Sequence, residues 1–176
     1  PISRFRLLLL KFLSCQIYTT TLFLFVAASS LFIGCLGQGW GGKMLVAAPD
    51  LPKVSLFDWW EGMGRYFFAI LGFSVVYLPV IGIAFLLGSL RVKPATATIV
   101  TIAILIADRI MGKMPLEAFD PYRDYFITSR MDAWYLLLYQ EIPWARFLEQ
   151  SAWLLGIGLT GFVVGWLVFE RRDIKS

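Results

Sequence analysis

Two adjacent ionisable residues, Asp108 and Arg109, are the side chains of this chain best placed to do chemistry. They follow the apolar stretch 95–107, and Lys113 comes about one helical turn later. Ionisable groups at membrane depth are costly to bury and by default indicate a functional site. The pair therefore indicates an outer gate or pathway element, unless the helix ends at the membrane surface there and water hydrates both charges.

The residues needed for several common catalytic mechanisms do not occur. The chain has no histidine, which excludes histidine-based acid–base catalysis, histidine metal ligation and a Ser-His-Asp triad within it. It also has no Walker A motif, no dinucleotide-binding fingerprint and no GxSxG elbow. We therefore expect no enzyme activity, no metal and no bound cofactor in this chain. If ATP and its magnesium drive it, they bind to a partner.

The remaining candidate ligands are scattered along the sequence. Cys15 and Cys35 share one apolar run; in a single helix they lie about 30 Å apart, too far for a disulfide. Five carboxylates of the segment 113–150 follow no calcium-loop spacing and are interpreted as hydrated surface charges. These carboxylates are Asp120, Asp124, Asp132, Glu141 and Glu149.

Composition places the chain in a lipid bilayer. Apolar residues make up 59% of it, whereas soluble domains contain about 45–50%. The net charge of +4 comes with basic residues at the ends of apolar runs, where they act as topology signals. We therefore expect a lipid partner and no nucleic acid.

Four apolar segments are long enough, or nearly so, to cross a membrane. With the segment 113–150 they predict one all-α transmembrane domain over residues 1–176. Pro79 predicts a kink in the second span, and the last span stops at a basic cluster that begins after Glu170. The predicted spans are 12–36, 66–90, 94–112 and 151–169.

The predicted loops alternate in charge and in structure. Eight basic and two acidic residues fall on the side that carries both termini, against eight basic and ten acidic residues on the other side. By the positive-inside rule, both termini are cytoplasmic. On the outer side, Ala133–Tyr139 is too short to span yet too apolar for a hydrated loop. It predicts a re-entrant or interface-lying helix within the outer segment 113–150.

Small residues repeat at helical spacing in the last span. Gly161 and Gly165 form a GxxxG pattern, and Gly158 precedes them by about one turn. Such residues allow two helix backbones to approach closely. The pattern predicts a helix-packing face, either within the chain or in a dimer; ordinary glycine content is the alternative.

The two ends of the chain carry the motifs with the strongest resemblance to a known family. The stretch Pro1, Ile2, Ser3, Arg4, with Arg6 beyond it, resembles the P-I-S-R stretch of permease subunits of ABC-2-type ABC transporters. The other end resembles the usual finish of the same subunits, an aromatic residue followed by Arg-Arg-Asp-Ile. That finish consists here of Phe169, Arg171, Arg172, Asp173 and Ile174.

The resemblance implies a function and a set of partners. It covers spans three to six of a six-span permease, so we expect this chain to be the later part of a longer polypeptide. The first stretch then lies next to the coupling region that contacts cytoplasmic ATPase subunits, and a second permease subunit completes the transporter. An inner or plasma membrane and export follow from the same resemblance. A non-transporting membrane scaffold that anchors a partner assembly is the alternative.

Overall fold

The computed structural model describes residues 3–46, 55–90 and 92–171 of the chain. The chain is mostly helical, and the four membrane-length helices predicted from the sequence are confirmed. Each of them is long and apolar enough to cross a bilayer. The long helical elements are α1 (Arg4–Gln38), α2 (Trp59–Val76), α3 (Leu78–Ser89), α4 (Pro94–Lys113) and α6 (Trp144–Glu170).

The second membrane-length helix is broken into α2 and α3 at Tyr77. Pro79 follows in the first turn of α3, where its missing N–H does no harm. In an uninterrupted helix the proline would lose its bond to the carbonyl of Val75 and its ring would clash with that carbonyl. The helical hydrogen bonds on either side persist: the Tyr77 N–H donates to the Phe73 carbonyl at 3.1 Å, and the Tyr77 carbonyl accepts from the Ile81 N–H at 3.4 Å. The second helix is therefore interrupted only at Tyr77, two residues before Pro79, and Trp59–Ser89 remains one membrane-length helix.

A short β-hairpin, absent from the all-α prediction, lies between α1 and α2. Strand β1 (Lys43–Val46) pairs antiparallel with β2 (Ser55–Asp58), with Met44 opposite Phe57. Phe57 is buried, and Gly62 of α2 has the Met44 side chain against its Cα. The hairpin therefore packs against the first turns of α2. Four-residue strands give too short a sequence pattern to identify reliably.

The outer segment is helical, as predicted, but it is mainly 3₁₀ helix. A first 3₁₀ helix (Glu117–Tyr125) leads to α5 (Ile127–Arg130) and then to a second 3₁₀ helix (Met131–Leu138). Pro121 lies inside the first 3₁₀ helix, and the second buries three consecutive leucines, Leu136 to Leu138. The second 3₁₀ helix therefore packs between other helices and contacts them with more than one face.

The helices differ in how much of their surface the rest of the chain covers. In the most apolar stretch of the α2–α3 helix 33% of residues are buried, and in that of α6 28% are buried. The corresponding fraction is 11% in both α1 and α4. We call α2, α3, α6 and the second 3₁₀ helix the inner unit, and α1 and α4 the peripheral helices.

Helix ends extend beyond the predicted spans. Helix α1 starts at Arg4 instead of residue 12, the second helix at Trp59 instead of residue 66, and α6 at Trp144 instead of residue 151. The predicted outer segment 113–150 therefore contains the first turns of α6. Polar and charged side chains in these terminal turns ended the apolar patterns early, although the backbone continues as helix.

Candidate functional site

The start of α1 and the end of α6 meet at one end of the bundle, which we call the basic end. It comprises residues 3–11, the turn after α3 and the last turn of α6. Ser3 caps α1 by accepting a hydrogen bond from the Arg6 N–H at 3.3 Å, as serine commonly does before a helix. The Arg4 guanidinium donates to the carbonyl oxygen of Glu170 at 3.4 Å. That contact joins the start of α1 to the end of α6.

Aromatic packing beneath this contact fixes the two helices together. Leu8, Phe12 and Phe162 are buried as one cluster. The Phe12 and Phe162 rings lie 4.9 Å apart between centroids, and Phe5 lies 5.2 Å from Trp166 with an edge-to-face geometry. Pairs of this kind add to the stabilisation from burial alone. The basic end is therefore held by packing, with the Arg4 hydrogen bond on its surface.

The sequence-predicted residues of the two terminal motifs are only partly described. Arg6 is exposed in the first turn of α1, and Phe169 packs on the aromatic cluster. Arg171 ends α6, and its N–H donates to the carbonyl of Leu167 at 3.2 Å. The other motif residues, Pro1, Ile2, Arg172, Asp173 and Ile174, lie outside the described residues.

The three glycines singled out in the last span lie against α3 of the same chain. A Cβ atom added at Gly161 would lie 2.7 Å from the backbone of Gly82, and one added at Gly82 would lie 2.6 Å from the carbonyl oxygen of Gly158. Gly158 also approaches Leu78, and Gly165 faces the Phe85 and Ser89 side chains. We call this contact the glycine seam. The glycine pattern of the last span is therefore used for helix packing within the chain.

Gly82, the partner of the seam, was not singled out from the sequence. Helices α3 and α6 run in the same direction, because Gly82 faces Gly161 and Phe85 faces Gly165. Parallel neighbours cannot be joined by a short loop, so no local pattern in the sequence links them. The available signal in the sequence was Gly82 itself, a small residue in a helix of mostly bulky residues.

Asp108 and Arg109, the predicted outer pair, are separated by the structure. The Asp108 carboxylate accepts hydrogen bonds from the Ile127 N–H at 3.2 Å, the Thr128 N–H at 2.7 Å and the Thr128 hydroxyl at 2.6 Å. It thereby caps the start of α5 from a different helix. Arg109 is exposed and lines a shallow groove of 450 Å³ with Lys113 and Pro115. The two neighbours therefore differ: the Asp108 carboxylate is held by hydrogen bonds, whereas the Arg109 side chain is exposed.

A second outer contact, at Arg65, was not anticipated from the sequence. Its guanidinium donates to the carbonyl oxygens of Tyr139 at 3.1 Å and Gln140 at 3.4 Å. It also forms an ion pair with Glu61 at 3.3 Å and lies over the Phe57 ring at 5.4 Å. Arg65 thus joins the hairpin, α2 and the outer segment. Only its charge at the start of an apolar run was visible in the sequence.

The fold defines a multi-pass membrane protein with four membrane-length helices. Within residues 3–46, 55–90 and 92–171, no group of three or more His, Cys, Asp or Glu side chains could hold a metal ion. No family model, no curated protein and no solved structure matches this chain.

Proposed function

We propose that this chain is the C-terminal part of the permease subunit of an ABC-2-type transporter, driven by separate ATPase subunits. In that assembly it pairs with a second permease subunit in an inner or plasma membrane, with both termini in the cytoplasm. ATP and magnesium bind to the partner ATPase. The resemblance of the two terminal motifs to that family is the basis of the proposal.

One observation carries the proposal beyond the motifs themselves. The two stretches are 166 positions apart in the sequence, yet Arg4 and Glu170 are in hydrogen-bond contact. An ATPase that docks beside the first motif would therefore also be close to the second. Juxtaposition of the described residues of both motifs at the basic end supports a single docking site there.

The packing supports a mechanical role for this end. The aromatic cluster links the start of α1 to α6, and the glycine seam links α6 to α3 without intervening side chains. A displacement of the basic end would therefore pass into the inner unit as a movement of packed helices. The exposed faces of α1 and α4 leave room for a second subunit.

A membrane scaffold is the second candidate function, and Asp108 is the observation that favours it. Its carboxylate is already used in three hydrogen bonds, so Asp108 serves to hold the outer segment in place. A chain that only anchors a partner needs such a structured outer face and no charged pathway group. A transporter requires an ATPase subunit at the basic end, whereas a scaffold does not.

The test is co-purification of the full-length protein from its own membranes, followed by assay of ATP hydrolysis. We expect a nucleotide-binding subunit to be retained and Arg6→Glu to reduce its retention several-fold, because charge reversal at a docking surface costs affinity. Lys113→Glu, at the other end of the bundle, is the matched control and should retain the subunit. Purification without any nucleotide-binding subunit would reject the transporter and favour the scaffold.

A further inference from the structure

An apolar groove opens at the basic end between α1, α3 and α4. Its volume is 790 Å³, within the usual size range of small-molecule sites. Its apolar walls include Leu7 and Leu10 of α1, Phe85 of α3 and Pro94 at the start of α4. Leu7 is 40% exposed and Leu10 53% exposed. The walls therefore offer apolar surface that the described residues leave uncovered.

The floor of the groove is open because it contains a glycine. A Cβ atom added at Gly88 would have no heavy atom within 4 Å, unlike one added at the seam glycines. Gly88 therefore has free space above it that close helix packing does not require. An unbranched hydrocarbon chain can lie along an open apolar groove of this kind.

The lining of the groove also includes a cationic side chain. Lys11 lines it, and it follows Arg4 by about two helical turns, or roughly 10 Å along α1. A lysine at this depth extends its ammonium group towards the headgroup region while its methylene stem stays in apolar surroundings. Lys93, also exposed, directly precedes Pro94 at the same end.

Neither lysine is neutralised by the part of the chain that the structure describes. The ion pairs Arg65–Glu61, Arg123–Asp120 and Arg130–Glu149 of the described residues do not include Lys11 or Lys93. An occupant with a negative charge next to a long apolar group would complement both features of the groove. Basic pockets between membrane helices on the cytoplasmic side bind anionic lipid headgroups by this combination.

We propose that the groove binds an anionic phospholipid. One acyl chain lies over Gly88 between the leucines of α1 and the Phe85 ring, and the phosphate lies between the Lys11 and Lys93 ammonium groups. The site does not depend on whether the chain belongs to a transporter or to a scaffold. It makes the contact between α1, α3 and α4 responsive to the lipid composition of the membrane.

Native mass spectrometry of the full-length protein in micelles, titrated with phosphatidylglycerol or phosphatidylcholine, tests the proposal. We expect preferential retention of phosphatidylglycerol and an apparent affinity about fivefold lower in Lys11→Gln, the effect of one basic residue near a membrane surface. Gly88→Leu should also reduce retention, because its side chain occupies the open floor. Free glycerol phosphate, which lacks the acyl chains, should not displace the lipid.

Two matched variants make the result specific to the groove. Lys113→Gln removes an exposed lysine at the other end of α4, and Gly156→Leu adds the same side chain to another glycine with open space around it. Both should bind phosphatidylglycerol as the unmodified protein does. Equal retention of the two lipids, unchanged affinity in both groove variants, or an equal loss in the control variants would overturn the proposal.

Discussion

The inner unit and the peripheral helices are held by different physical means. Within the inner unit, α3 and α6 meet backbone to backbone at Gly82 and Gly161, and Leu137 is fully buried between α2 and α6. The peripheral helices have mostly exposed surfaces and a few specific attachments. Helix α1 is attached by Phe12 at one end and by a hydrogen bond from Gln16 to the Ser74 carbonyl at 3.0 Å.

Packing within the chain specifies the structure of the inner unit, whereas the peripheral helices depend on what surrounds them. Close packing cannot be replaced by lipid, because lipid chains do not fill a gap shaped by two backbones. Exposed apolar helix faces can be covered equally well by lipid or by another subunit. We therefore expect mutations in the inner unit to affect stability directly, and mutations at the periphery to affect attachment of single elements.

The largest expected effect follows truncation of Leu137. This side chain is fully buried and its Cδ1 atom lies over Gly72, where an added Cβ would be 2.5 Å away. Leu137→Ala should lower the free energy of unfolding by about 2–5 kcal/mol, the usual cost of such a cavity. Detergent-induced unfolding in mixed micelles measures it. The exposed leucine of the same region, in Leu148→Ala, should change that free energy by less than about 0.5 kcal/mol.

A double-mutant cycle sharpens this prediction, because Gly72 and Leu137 contact each other. Gly72→Ala alone forces the leucine to move, whereas in the Leu137→Ala background the new methyl group has space. The cost of Gly72→Ala should therefore be smaller in that background. Strict additivity of the two changes would show that Leu137 does not occupy the recess at Gly72.

The second prediction concerns the glycine seam. Gly161→Ala places a methyl group 2.7 Å from the backbone of Gly82, so the helices must separate. We expect the free energy of unfolding to fall by about 1–3 kcal/mol, as for other overpacked sites. The matched change Gly156→Ala adds its methyl group to open space in the same helix. It should stabilise by up to about 1 kcal/mol, because alanine favours helix over glycine.

Opposite signs for the two alanine variants are the diagnostic result. Unfolding of both variants in mixed micelles, compared with that of the unmodified protein, measures the sign of each change in the free energy of unfolding. If Gly161→Ala were as stable as Gly156→Ala, α3 and α6 would not be in backbone contact. The distinction between the inner unit and the periphery would then lose its main support.

The sequence predicted which segments form helices better than which helices pack against each other. The apolar runs predicted four membrane-length helices because their length and composition are local properties, and the kink predicted from Pro79 lies close to the interruption at Tyr77. The glycines at 158, 161 and 165 indicated a packing face, but not Gly82 as their partner. That partner depends on how two parallel helices, separated by the whole outer segment, come to lie side by side.

The candidate sites show the same limit of local patterns. Asp108 was singled out because it is a charge at the end of an apolar run, and its partner Thr128 lies 20 positions later. The hairpin was missed because its strands have four residues each. The contact between Arg4 and Glu170 depends on two features of the fold. The even number of membrane crossings can be predicted from the sequence, but the packing of α1 on α6 cannot.

The smallest expected effect in this series is at Asp108, where the periphery is attached to the outer segment. Asp108→Ala removes the acceptor for the Ile127 and Thr128 N–H groups and for the Thr128 hydroxyl. Loss of a helix cap costs about 1 kcal/mol. We expect faster amide hydrogen exchange at Ile127 and Thr128, with exchange in α3 and α6 unchanged. Exchange mass spectrometry of the intact protein resolves the two regions.

Arg109→Ala is the control for this change, since Arg109 is exposed and adjacent in the sequence. It should leave exchange in α5 unchanged. Faster exchange along the glycine seam in Asp108→Ala would instead mean that α4 and the inner unit open together as one cooperative element. A local response confined to the outer segment supports the view that α4 is attached through a few specific contacts. Its remaining surface is then available to lipid or to another subunit.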